Sequence, residues 1–464
     1  MGRAFFNSYL AGEPAAHAFF APCFRDPVER IARARLAAGR TIAPMLHQVL
    51  SEQQARLPAS PARRTNLAAL AKGETAVVVT GQQIGLFLGP LYAFYKAASA
   101  IAVARAIEAE SGIRCVPLFW LQTEDHDFEE IRTCVVAHRD GQPVHLTLPG
   151  DSGTAGRFSV AYRTLPEQVN PLFDALANAL EPGPAAEETL DLLRAHYQPG
   201  RAMADAFAGV IAAVFADEGL LVFNPREARV AMSAAPIYRT CLVESERIES
   251  LLHNRQVALT AAGIEEQVAV RERGALVFYH RDSETGPRFR IQRRVDSSGN
   301  VTWGLAGSGE VLRHEDLLDV LARDPLRFST SALVRPIVQD ALLPTVAYVG
   351  GPGEINYFAQ IEPLYAQFGL VPPLLVPRAR FRCVDARTRR RLGQLGLSAE
   401  DLALPPDELQ ARLHPHLPDG AIAPAELRAL VESQISPVVE QIASTVSATF
   451  AHLQRPAERT RKSI

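Results

Sequence analysis

One stretch, residues 75–121, restricts the fold more than any other. Thr75-Ala-Val-Val-Val-Thr80 is a short β-branched run bounded by Gly73 and Gly81, the pattern of a buried strand. A glycine-spaced segment follows, Gly81-Gln-Gln-Ile-Gly85-Leu-Phe-Leu-Gly89-Pro90. From Pro90 to about Glu110 the chain is alanine-rich and helical, with the proline at a tolerated first-turn position. Cys115-Val-Pro-Leu-Phe-Trp-Leu121 is the next strand. Strand, helix, strand in so short a span is a βαβ unit, and a helical crossover joins parallel strands, so the core is expected to be an α/β parallel sheet.

The rest of the chain extends that core. Residues 1–70 read as a helical segment and 71–150 as the first half of the core. Residues 151–200 read as a helical and loop-rich insertion with one helix. The core resumes over 201–254, with Gly219–Phe223 as a strand. Short alternating segments in 255–310, such as Gln267–Arg271 and Ala275–His280, predict a small antiparallel insertion. The second half of the core spans 311–385, with Pro344–Val349 and Leu374–Val376 as strands. Residues 386–464 form a helical tail, broken near Pro405 and Pro418. There Ile435, Val439, Ile442, Val446, Thr449 and Leu453 recur at coiled-coil spacing, equally the stripe of one amphipathic helix. Arg387-Thr-Arg-Arg-Arg391 reads as a solvated helix face.

Composition excludes several classes of function. The 464 residues carry a formal net charge of −3, against a polycationic nucleic-acid binder. No run is apolar and long enough for a membrane span, and the N-terminus lacks a signal-peptide core, so a cytoplasmic protein is expected. Cys23, Cys115, Cys134, Cys241 and Cys383 are odd in number and form no C-x-x-C pair, which argues against disulfides and structural zinc. No metal site is expected.

Three segments carry candidate chemistry. In the first, Gly81, Gly85 and Gly89 are spaced to open a helix whose N-terminus suits an anion. Gln82 and Gln83 offer amides, and Tyr92 and Lys96 share a face with Gly89, so Lys96 is expected to reach back toward a phosphate or carboxylate. A tight turn with a snorkelling lysine is the competing structural reading. The second is Glu124-Asp125-His126-Asp127, just past the strand that ends at Trp120-Leu121, where open α/β sheets bind ligands. His126 among carboxylates suits acid/base work, while Asp127-x-x-Glu130 resembles a capping box. The third, Gly350-Gly351-Pro-Gly353-Glu354-Ile-Asn356-Tyr357, again lies between strand and helix, and Glu354 there equally complements the helix dipole. Upstream, Arg335, Gln339 and Asp340 cluster; Arg335 suits a substrate anion, or else an ion pair with Asp340. Arg378 and Arg380 follow the last strand, placed to clamp phosphates.

Together, Thr80–Lys96, Phe119-Trp-Leu-Gln-Thr-Glu-Asp-His-Asp-Phe128 and Leu333–Glu354 through Arg378 resemble the signatures of one family, the cysteine-adding enzymes (cysteine ligases) of bacillithiol biosynthesis. The resemblance runs from about Phe6 to Phe450. It implies a Rossmann-like core akin to class I aminoacyl-tRNA synthetases and nucleotidylyltransferases, with a C-terminal coiled coil that makes a homodimer. The implied reaction joins L-cysteine to the amine of glucosaminyl-malate, driven by ATP, with Mg²⁺ as its counter-ion. It implies Lys96, Glu124, Asp125, His126 and Asp127 as catalytic residues. The glycine loops, Gln82, Gln83, Tyr92 and Trp120 would hold substrate or nucleotide. So would Arg335, Gln339, Asp340, Glu354, Asn356, Tyr357 and Arg378.

The chain departs from the synthetase pattern in two ways. Gly85-Leu-Phe-Leu-Gly89 stands where those enzymes carry H-x-G-H but has no histidine, and no K-M-S-K-S-like run lies near Arg378. The chain also stops soon after the first coiled-coil segment, so either a shorter coiled coil or a truncated chain is expected. Two other functions fit the same residues: ATP-independent cysteine transfer from an activated donor, or a non-catalytic scaffold of the same pathway.

Overall fold

The computed structural model describes residues 2–20, 23–150, 158–381, 384–413, 433–434 and 436–449. Its centre is a five-stranded sheet. The strands are β1 (Ala76–Gln82), β2 (Cys115–Leu121), β5 (Leu221–Phe223), β11 (Thr345–Gly350) and β12 (Leu374–Pro377). They lie in the order β12-β11-β1-β2-β5, and every neighbouring pair is parallel. This is the expected Rossmann-like α/β core.

The continuous apolar runs of β1 and β2 follow from burial on both faces. Val77 and Val79 point into one cluster with Tyr348, Leu46 and Phe358. Ala76 and Val78 point into another with Ala34, Ala100 and Ala104. The alanine-rich Tyr92–Ser111 helix joins β1 to β2 across this second face and turns Ala93, Ala97, Ala100 and Ala104 inward. The Pro352–Gln367 helix joins β11 to β12 across the first face. The two crossovers therefore leave the sheet on opposite faces, and a crevice opens between β1 and β11 at their carboxyl ends. Thr80 ties these strands by donating its hydroxyl to the Val349 carbonyl at 2.8 Å.

A second, antiparallel sheet runs β10-β6-β7-β8-β9. Its strands are β6 (Gly274–His280), β7 (Arg288–Val295), β8 (Val301–Leu305), β9 (Val311–Arg313) and β10 (Phe328–Thr330). The expected antiparallel segment is thus present, but Gln267–Arg271 is irregular rather than a strand, because no strand pairs with it. A hairpin of β3 (Thr133–Ala137) and β4 (Pro143–Thr147) was not anticipated. Beyond residue 158, two helices, Val169–Ala179 and Pro184–His196, stand where one was expected. The N-terminal segment is helical, with helices at Pro27–Ala38, Pro44–Ala55 and Pro61–Lys72, each with proline at its start.

The chain divides into two compact units, Met1–Arg380 and Phe381–Ile464. The second contains helices Ala386–Gln394, Pro406–Leu413 and Ser436–Thr449. Arg387, Arg389, Arg390 and Arg391 are exposed, as expected of a solvated face. In the last helix Ile442 is exposed; Ile435, Leu453 and the side chains of Val446 and Thr449 lie outside the described residues. Pro418 and Cys383 also lie outside them. Cys115, Cys134 and Cys241 are buried and Cys23 is half-buried, and none of these four is in a disulfide among the described residues. No helix of the described residues is long and apolar enough to cross a membrane.

Gly81 shows how tightly the sheet constrains sequence at its carboxyl edge. A Cβ there would lie 2.7 Å from the Trp120 carbonyl oxygen, a backbone atom that cannot swing away. Gly81→Ala is expected to lower unfolding free energy by about 1–3 kcal/mol through overpacking. Gly112 ends the Tyr92–Ser111 helix in the left-handed region with open space around it. Gly112→Asn, which tolerates that conformation, is expected to change stability far less. Chemical denaturation of both variants tests the contrast.

Candidate active site

The crevice at the carboxyl ends of β1, β2 and β11 is a cleft of about 330 Å³. β1 contributes Gln82, and the turn after β2 contributes Gln122, Glu124 and Asp125. Gly351, Gly353 and Glu354 come from the start of the helix after β11, and Arg378 from just past β12. Lys96, Tyr92, Trp120, Arg335 and Tyr357 complete the expected residues on its walls.

Charge pairing decides what each of these can do. Lys96 is 2% exposed. Its Nζ donates to the Gly81 carbonyl at 2.7 Å and to Gln82 Oε1 at 2.9 Å, and it forms an ion pair with Glu354 Oε2. Glu354 Oε2 also accepts from the Gly351 N–H at 2.8 Å, and Oε1 accepts from the Tyr348 hydroxyl at 2.5 Å. Burial alone would raise the pKa of Glu354; adjacent Lys96, the Gly351 N–H and Tyr348 outweigh it and hold the carboxyl below the usual range. Burial pulls Lys96 below the usual lysine range, against the pull of Glu354. The lysine therefore neutralises a protein carboxylate, and Glu354 occupies the anion position of its own helix.

The glycine loop differs from its expectation in the same way. Gly85 and Gly89 meet each other, since a Cβ on Gly85 would stand 2.9 Å from the Gly89 Cα. Between them Leu86, Phe87 and Leu88 are buried, and Tyr197 both donates to the Gly85 carbonyl and accepts the Leu88 N–H. Those glycines close a hydrophobic plug rather than a phosphate cradle. Gly81, Gln83 and Gly350 also stand off the cleft walls; Gln83 donates to Glu130 at 2.7 Å and to Asp125 at 3.4 Å.

After β2, Asp127 caps the Phe128–Ile131 helix by accepting the Glu130 N–H. Glu130 turns to Gln83, so only half of the capping box forms. Glu124 Oε2 accepts from the Thr330 N–H at 3.3 Å and from its hydroxyl. Asp125 accepts from Arg288 Nη1 at 3.2 Å and from the His126 N–H at 2.7 Å. Burial would raise the pKa of Asp125, but the bonds from His126 and the Arg288 charge hold it well below the usual carboxylate range. His126 does not line the cleft. Its Nδ1 sits 2.9 Å from Arg288 Nη1 and 3.2 Å from Asp125 Oδ1, so the ring is held between that cation and that carboxylate.

Arg335, Gln339 and Asp340 form a buried chain, but without the expected Arg335–Asp340 pair. Arg335 donates to Gln339 Oε1 at 2.8 Å and to the Tyr357 hydroxyl at 3.0 Å. Asp340 instead accepts from Gln339 at 2.8 Å and from the Tyr365 hydroxyl at 2.7 Å. Asn356 is buried away from the cleft with an unpaired Oδ1. Arg378 stands over the Tyr92 ring at 5.3 Å and donates to the Ala379 carbonyl. Neither Arg335 nor Arg378 has an ion-pair partner among the described residues, so both remain available to an anion. Arg288 had no sequence signal: it sits in β7, a strand of the second sheet, and reaches the cleft only through tertiary packing. Among the described residues no group of three or more His, Cys, Asp or Glu could hold a metal ion.

The buried pair makes two predictions. Lys96→Ala leaves Glu354 buried and unpaired, and is expected to cost about 3 kcal/mol of stability, much of it recovered in Lys96→Met/Glu354→Gln. Because the folded pKa of Glu354 is depressed, its contribution is complete above the unfolded carboxyl value and lost as pH falls through the folded one. Denaturant titrations between about pH 5 and pH 3 should show wild type losing an increment of stability that the double variant lacks.

Comparison with known proteins gives one consistent answer. Residues 2–379 match the family described as Bacillithiol biosynthesis BshC, N-terminal Rossmann-like domain. The chain is 33% identical over 404 residues to the "Putative cysteine ligase BshC" of Salinibacter ruber, covering 85% of this chain and 71% of that protein. It is 34% identical over 373 residues to the protein of that name from Koribacter versatilis, covering 79% and 65%. Against the one from Natranaerobius thermophilus it is 30% identical over 329 residues, covering 71% and 58%. The chain thus spans roughly two thirds of the length of these curated relatives.

Proposed function

The chain belongs to the BshC family of bacillithiol biosynthesis, and from that premise we propose that it is an amide-forming ligase that adds L-cysteine to glucosaminyl-malate at the expense of ATP. The observation that carries this reading is the pair of arginines, Arg335 and Arg378, left without carboxylate partners in a cleft at the switch point of a parallel sheet. Each substrate of such a reaction carries an anionic group, and the other cations of the cleft, Lys96 and Arg288, are already paired with Glu354 and Asp125.

The chemistry requires activation of the cysteine carboxylate, because an ionised carboxylate does not accept an amine. In the proposed route a carboxylate oxygen attacks the α-phosphorus of ATP and pyrophosphate leaves. The acceptor amine then attacks the acyl carbon, and AMP departs with that oxygen. Arg378, on the open side, and Arg335, on the floor, would neutralise the phosphates and carboxylate. Mg²⁺ would arrive with the nucleotide. The amine must lose a proton during attack. Glu124 is the base best placed for it, since it lines the cleft and Oε1 is free of the Thr330 bonds that engage Oε2. His126 lies off the cleft with Nδ1 engaged by Arg288, which assigns it no direct part in this step.

A second reading, cysteine transfer from an already activated donor without ATP, is favoured by the closed Gly85–Gly89 loop, which offers no phosphate cradle. The protein incubated with L-cysteine, glucosaminyl-malate, ATP and Mg²⁺, with thiol and nucleotide followed by mass spectrometry, separates the readings. Thiol product with equal AMP supports the proposal; ADP points to an acyl phosphate, and product without nucleotide consumption supports the donor reading. Arg378→Gln and Glu124→Gln are each expected to lower kcat/KM about 10²-fold with the melting temperature retained. Unchanged kcat/KM in both would contradict the assignment.

A further inference from the structure

Beside the cleft lies a second chamber, of about 310 Å³, that the proposed reaction has not used. The two share Asp125, Arg288, Ser331 and Ala332, so these residues form a common wall. One side of the second chamber is the face of β6 and β7 that carries Leu276, Phe278, Arg288 and Arg290. Phe278 and Arg290 are direct cross-strand partners, and Arg288 stacks on the Phe278 ring at 3.6 Å. The irregular stretch Val268–Arg271 also lines it. His126 lines this chamber and not the cleft.

The charges of this chamber are unbalanced. Arg271, Arg288 and Arg290 line it against a single carboxylate, Asp125, and that carboxylate is paired with Arg288. Arg290 is half-buried, yet no hydrogen bond or ion pair engages its guanidinium among the described residues, and its Nε is fully buried without a partner. Ser331 Oγ, on the shared wall, is likewise buried and unpaired. Half-buried cations left unpaired at the wall of a cavity are costly unless a ligand completes them.

We propose that this second chamber is the subsite for the dicarboxylate end of the acceptor amine, with Arg290 as the residue that recognises it. The inference rests on the ligase reading above. With the acid group anchored at Arg290, the amine would lie toward Asp125, Arg288 and Ser331, the residues the two chambers share, and so on the side of Glu124 and the activated carboxylate. Nucleotide and cysteine would then occupy the Arg335 and Arg378 side, so two anionic substrates need not compete for one set of cations. Arg288 holds the wall between the chambers: it donates to Asp125, to Ser329 Oγ at 3.1 Å and to the Thr330 carbonyl at 2.7 Å, and its Nη1 lies 2.9 Å from His126 Nδ1.

Titration calorimetry with L-malate, together with steady-state kinetics, tests the assignment. Arg290→Gln is expected to weaken malate binding about tenfold or more and to raise the KM for glucosaminyl-malate similarly, with the KM values for ATP and cysteine within about twofold of wild type. Because Arg290 sits in a strand, a second variant guards against misfolding. Ala269 is exposed at the chamber wall, and Ala269→Trp should block malate by bulk without removing a charge. Malate binding that survives both variants, or that is lost in Arg378→Gln instead, overturns the subsite. If wild type forms the thiol while both variants keep the normal KM for the acceptor, the subsite fails and the ligase reading stands. If wild type forms no thiol but binds malate in an Arg290-dependent way, the ligase reading fails and the anion site stands.

Discussion

The ion pair between Lys96 and Glu354 holds the two halves of the core together where they matter. Lys96 belongs to the crossover that follows β1, and Glu354 to the crossover that follows β11. These helices lie on opposite faces of the sheet, so their only natural meeting place is the crevice at the strand ends. Lys96 reaches it from one side by bonding to Gly81 and Gln82, and Glu354 from the other by capping Gly351. Desolvation makes the pair expensive to assemble and more expensive to break, because either partner alone would be a buried, uncompensated charge.

That pairing sets the character of the cleft around it. With Lys96 matched to Glu354, and Arg288 to Asp125, the cations left over are Arg335 and Arg378. Tyr348 and Tyr357 hold the first by its hydrogen-bond network and ring contact, and Tyr92 lies under the second. Rigid aromatic supports of this kind keep a guanidinium aimed without neutralising it. Two guanidinium groups thus face the cleft without a carboxylate partner among the described residues, while its lysine is committed to Glu354.

Much of this was legible in the sequence, and the failures have physical causes. The β1–helix–β2 unit could be read because a strand buried on both faces must be continuously apolar, and Val77–Val79 and Val116–Leu121 are so built. The segment Gln267–Arg271 alternates like a strand but lacks a partner, and alternation alone cannot report pairing. The Gly85–Gly89 spacing was compatible with a phosphate loop; the buried Leu86, Phe87 and Leu88 make it a plug, which their apolar character foreshadowed. Lys96 reaches back to the end of β1, but it meets Glu354 there, and that salt bridge spans 258 residues of sequence and was invisible locally. Arg288 and Arg290 had no signal, since arginines are common in this chain and a site residue borrowed from a second sheet follows no spacing rule. The coupling of Asp340 to Tyr365 rather than to Arg335 likewise depends on tertiary packing.

The central claim is that this cleft activates the carboxylate of cysteine with ATP before the amine attacks. Its most direct test is the fate of carboxylate oxygen. L-Cysteine labelled with ¹⁸O in both carboxylate oxygens is turned over with ATP and glucosaminyl-malate, and the nucleotide and phosphate products are analysed by mass spectrometry. The account predicts one ¹⁸O in each AMP formed, delivered when the acyl–phosphate bond breaks to make the amide. Thiol product formed with no label in AMP or in inorganic phosphate would show that the carboxylate was never joined to phosphorus, and would contradict it.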